Sequence, residues 1–202
     1  MFFSNINIAT ALSGSVSTVL STLYSPSQTN DHIPATRSVT LVLRSMGGVA
    51  YTTGIELDND HKEIHFSLDY IQGIPKRSPR EETHEMQGVL VHEMVHCWQW
   101  TGQGSAPGGL TEGIADYVRL KAGLSPSHWK KEAGGEWDAG YQHTGYFLSW
   151  VEEKMGLGSV RRINDTLRRE KYEDTMWESL FGKTVKALWA EYQEELKSTA
   201  SE

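Results

Sequence analysis

A chain of 202 residues with a formal net charge of −7 fits one domain over 1–202, large enough to bury a core. Its charge balance argues against nucleic acid, which calls for concentrated Lys and Arg. A single cysteine, Cys97, excludes an internal disulfide framework, and no run nears the roughly 18 apolar residues of a membrane span.

The first Lys or Arg is Arg37, so no positive segment precedes an apolar stretch as it does in an export signal. An intracellular monomer is the default expectation. Residues 1–36 read as an N-terminal helix and loop. Val16, Val19, Leu20, Leu23 and Tyr24 fall at helical spacing, and a loop follows over 25–34. A sheet is expected over 37–72. Val39, Leu41 and Leu43 alternate with Thr40, Val42 and Arg44, and Gly47-Gly48 turns the chain before Val49-Ala50-Tyr51. Asp58-Asn59-Asp60 reads as a second turn, leading into a strand over 62–70 with Ile64, Phe66, Leu68 and Tyr70 on one face. The edge of that strand is expected to pair an extended substrate. The stretch 73–82 has prolines and charges and reads as a loop.

A helical part is expected over 84–197. From Met86 the period is helical, with Val89, Leu90, Met94 and Trp98 continuing the apolar stripe. Pro107-Gly108-Gly109 precedes a second helix over 110–121. Further helices are expected over 138–155 and 159–169. Thr175 with Glu178 reads as a capping box, and a last helix buries Val185, Leu188, Trp189, Tyr192 and Leu196. A small sheet followed by helices is an α+β arrangement.

Chemistry concentrates at His92-Glu93-Met94-Val95-His96. Residues four apart share one helix face, so the two imidazoles can bind one cation through one nitrogen each. Glu93, beside the first ligand, can reach a water at that cation and act as general base. The bland alternative is a helix with two surface histidines. The surrounding positions are apolar, however, and three polar groups among them need a partner that a metal supplies. Catalytic zinc takes three protein ligands. Glu112 and Asp116, again four apart on the next helix, offer one carboxylate to the metal and one to a ligand imidazole.

The run from His92 to Gly102, with Gly109-Leu110, Glu112-Gly113, Ala115-Asp116-Tyr117, Trp137-Asp138 and Gly140-Tyr141, resembles the plant basic secretory protein family and its fungal and bacterial relatives. Within the zinc peptidases it is similar to the gluzincins. The resemblance implies a zincin-like fold, one zinc per chain held by His92, His96 and Glu112, Glu93 as base, and Asp116 behind a ligand imidazole. It implies a peptide or protein substrate. The chain departs from the family in being acidic and in lacking the plant members' export signal. Tyr141 and His143 stand near a helix start, where either can donate to the oxyanion of a tetrahedral intermediate. The expected activity is metal-assisted peptide hydrolysis. The alternatives are a zinc hydrolase of a small amide or ester and a non-catalytic binding protein on the same scaffold.

Overall fold

The period-two stretches of the first third become strands β1 (Ser38–Arg44), β2 (Ala50–Ile55) and β3 (Asp58–Ser67) of one sheet. Around and after them lie helices α1 (Ile8–Leu23), α2 (Leu68–Gly73), α3 (Pro79–Trp98), α4 (Gly108–Lys121), α5 (Tyr141–Met155), α6 (Ser159–Arg169), α7 (Thr175–Phe181) and α8 (Val185–Thr199). The computed structural model describes residues 6–25, 32–74 and 78–199. Parts of two expected loops, 26–31 and 75–77, lie outside the described residues. Contacts divide the chain into two compact units, Met1–Gln99 with Ala122–Pro126, and Trp100–Lys121 with Ser127–Glu202. Among the described residues, no helix is long and apolar enough to cross a membrane.

In the first unit the sheet order is β1-β3-β2. β1 runs parallel to β3, from Ser38 opposite His61 to Arg44 opposite Ser67. β2 runs antiparallel to β3, with Ala50 opposite Phe66 and Thr52 opposite Ile64. β3 is therefore central, and the expectation that its edge takes a substrate is corrected: both of its edges are filled by strands. Ile64 and Phe66 are fully buried. Phe66 shares a core with Ile6, Ala11, Ile71, Met86, Val89 and Leu90. Each of the larger side chains in this core contributes roughly 1.5–3 kcal/mol by leaving water. α3 packs on β2 and β3, and α1 packs on α3.

Three local boundaries in this unit differ from the sequence reading, two of them because a serine caps a helix. The strand expected to reach Tyr70 stops at Ser67, whose hydroxyl accepts from the Tyr70 N–H at 3.2 Å and caps α2. The turn expected at Asp58-Asn59-Asp60 falls at Glu56-Leu57, and Asp58 already opens β3. α3 begins at Pro79, well before Met86. Ser78 accepts from the Glu81 N–H, and Pro79 sits in the first turn, where its missing N–H is no loss.

In the second unit α4 and α5 touch through glycines. A Cβ on Gly109 would lie 1.7 Å from the Asp138 carbonyl oxygen, and one on Gly113 would lie 2.3 Å from Thr144 Cγ2. One on Gly145 would meet Asp116 Cβ at 3.2 Å. Thr144 also holds the approach to α5: its hydroxyl donates to the Trp137 carbonyl at 2.8 Å and accepts from the Gly140 N–H at 2.9 Å. That closure keeps 138–140 out of the helix, which starts at Tyr141 instead of 138. Phe147, Trp177, Trp189 and Tyr192 pack ring against ring behind α5. Buried Glu152 accepts from the N–H groups of Gly158 and Val160 at 2.6 and 2.9 Å, satisfying the start of α6. The expected capping box at Thr175 is not formed: Asp174 occupies the cap and Thr175 is the first helical residue.

Candidate metal centre

α3 carries its polar residues where the sequence reading expects a cost. His92 is 8% exposed and Glu93 6%, between Val91, Met94 and Val95, while His96 is half-buried. The two imidazoles face each other through Nε2 atoms 3.3 Å apart, with their rings at 81°. Two nitrogens bound to one tetrahedral zinc at about 2.0–2.1 Å stand about 3.3 Å from each other. The pair is thus already spaced for a shared cation. One ligand atom from each of His92, His96 and Glu112 lies within 4.8 Å of the other two. Two imidazoles and a carboxylate form a donor set that suits a borderline cation such as zinc.

The helix end bearing His96 is firmly tied. The Gln99 N–H closes on the Val95 carbonyl at 2.7 Å, Thr36 donates to the Cys97 carbonyl at 2.6 Å, and the Tyr24 hydroxyl donates to the Trp98 carbonyl. Cys97 itself is buried, and desolvation pushes its thiol up to about 12. It is a packed thiol and no nucleophile.

Two residues here escape the sequence reading. Thr52 on β2 places its hydroxyl 2.7 Å from Glu93 Oε2 and 2.9 Å from the Glu93 carbonyl oxygen. Strand alternation puts Thr52 on the inner face, but nothing local says which helical residue it meets. Gln99 lies 2.7 Å from His96 Nδ1. Its spacing of three from His96 is a helical same-face signal that was there to be read.

On α4, Glu112 is half-buried and Asp116 only 2% exposed. A Cβ on Gly140 would lie 3.9 Å from Glu112 Cβ, so the residue just before Tyr141 borders the base of the Glu112 side chain. Tyr141 has φ 47°, in the left-handed region that bulky residues avoid, and the residue is 60% exposed. His143, two residues further along α5, lies against Trp189 at 4.9 Å between ring centres. Its Nε2 is buried with no hydrogen-bond partner among the described residues.

A three-stranded sheet followed by a helical part with a His-His-Glu group defines a small α+β protein with a candidate metal site of the kind hydrolases use. A family model described as "Peptidase of plants and bacteria" matches residues 1–192, and the chain belongs to that peptidase family. No curated protein and no solved structure matches the chain.

Proposed function

We propose that this protein is a zinc-dependent metallopeptidase, folded as one catalytic domain, that hydrolyses peptide bonds. The observation that carries the reading is the convergence of His92, His96 and Glu112 in a chain of a peptidase family. These three residues would hold the ion. Zinc, when bound, supplies a Lewis acid and brings the pKa of water toward neutrality.

The remaining steps belong to the chain's own groups. Glu93, next to the first ligand and buried, accepts a proton from the attacking water and passes it to the leaving amine. Thr52 donates to its carboxylate and fixes where it points. Asp116 sits on the same face of α4 as Glu112 and accepts from a ligand imidazole. Tyr141 offers a phenol to the oxyanion. β2 carries Thr52 and has no strand on its side away from β3 among the described residues, so its main chain can pair with an extended peptide.

Purified protein should digest a mixed peptide library, lose that activity to a chelator, and regain it with about one zinc per chain. A zinc-reconstituted protein that cleaves small esters and amides but no peptide would overturn the substrate class. Failure to take up zinc at all would overturn the metal.

A further inference from the structure

His96 has a second polar contact on the side of its ring away from His92. There Nδ1 lies 2.7 Å from the side-chain amide of Gln99, which is 7% exposed. The amide nitrogen faces the ring, and Oε1 is buried with no hydrogen-bond partner among the described residues. Gln99 is the C-cap of α3, fixed by its own N–H on the Val95 carbonyl.

A neutral imidazole has one N–H donor and one lone-pair acceptor. If Nε2 gives its lone pair to a cation, Nδ1 carries the proton and must donate. An NH2 group at 2.7 Å would then set donor against donor. The two ends of a side-chain amide have nearly the same size, and the hydrogen-bond network decides which end faces a partner. Each orientation of the Gln99 amide therefore matches one tautomer of His96. Nitrogen toward the ring matches a proton on Nε2, and oxygen toward the ring leaves Nε2 free.

We infer that Gln99 is a positioning residue of the metal centre, whose amide oxygen accepts from the Nδ1–H of His96 when the ion is bound. This rests on the metal reading above. The clamps on the end of α3 hold the acceptor in place before the ion arrives, so little ordering is left to binding. A neutral acceptor behind a ligand imidazole fixes its ring plane and raises its basicity.

The test compares zinc affinity, by competition with a chromogenic chelator, in the wild type, Gln99→Met and Gln99→Glu. The methionine variant should bind about 10- to 100-fold more weakly, the usual loss when such a partner is removed. The glutamate variant presents only acceptors and should match or exceed the wild type. Equal weakening in both, or none in Gln99→Met, overturns the inference. Long-range proton–nitrogen spectra of zinc-loaded wild type should show His96 protonated at Nδ1 and ligated through Nε2. The opposite pattern overturns it even if Gln99→Met does not fold. Wild type that takes up no zinc, or His96→Ala that binds as well as wild type, fails the metal reading and this inference with it. Normal wild-type binding with the wrong variant pattern fails this inference alone.

Discussion

The hydroxyl of Thr52 and the carboxylate of Glu93 are hydrogen-bonded at 2.7 Å, and the same hydroxyl reaches the Glu93 carbonyl at 2.9 Å. A hydroxyl has one proton, so it serves these two acceptors in turn or shares itself between them. Both acceptors belong to one residue, and the contact fastens β2 to the helical turn that presents the proposed base. Hydrogen bonds to charged groups contribute about 1.5–3 kcal/mol. Thr52→Val, which keeps the shape and loses the donor, should lower turnover about 10- to 100-fold with zinc content unchanged. Thr52→Ser should retain most of the rate. A valine variant as fast as wild type would show that Glu93 needs no such tether.

Glu93→Gln should abolish hydrolysis while leaving zinc bound. The amide keeps an oxygen that can accept from Thr52, so the local packing survives, but it cannot take a proton at neutral pH. Elemental analysis and a peptide digest on the same sample separate the roles. Comparable turnover in the variant would remove Glu93 from the mechanism.

Gly113, between Glu112 and Asp116, has room for no side chain. Gly113→Ala places a methyl 2.3 Å from Thr144 Cγ2 and 2.5 Å from Thr144 Cβ, so α4 and α5 must part or Thr144 must move. Overpacking of this kind costs about 1–3 kcal/mol. Urea unfolding should show that loss, and adding Thr144→Ser should restore part of it, because serine removes Cγ2 and keeps the hydroxyl that holds 137–140. No recovery in the double variant would mean that the clash is relieved elsewhere.

Much of the candidate site could be read from the chain because His92, His96 and Glu112 lie in two short helical segments. The i,i+4 spacing of His92 and His96 and the following Glu112 needed only a helical period. The apolar stripe of Met86, Val89, Leu90, Met94 and Trp98 was legible for the same reason, and all five are buried. What escaped depends on long-range pairing or on a single cap. Thr52 meets Glu93 across 41 positions, and that contact follows from β2 packing on α3. The parallel pairing of β1 with β3 leaves no mark on alternation, so the centrality of β3 was invisible. Ser67 and Ser78 each moved a boundary by capping a helix inside a stretch whose composition pointed to strand or loop.

Tyr141 follows Gly140 into α5 with φ at 47°, after a glycine at 90°. A tyrosine held in the left-handed region stores strain, of order 1–3 kcal/mol, that the surrounding structure must sustain. Here the loop is locked by Thr144, and Tyr141 stays 60% exposed, so burial in the core does not explain the conformation. The proposed role, a phenol presented to substrate at the start of the helix, would account for it. Tyr141→Phe keeps backbone and ring and removes only the hydroxyl. Turnover should fall about 100- to 1000-fold, the usual loss for one oxyanion donor, with zinc content and unfolding midpoint unchanged. Tyr141→Gly should be inactive yet unfold no more easily than wild type, because release of the left-handed strain offsets the lost side chain and the added freedom of the unfolded chain. A phenylalanine variant with wild-type turnover would dismiss the phenol, and His143 is poorly placed to replace it through Nε2, which is sealed inside the second unit against Trp189.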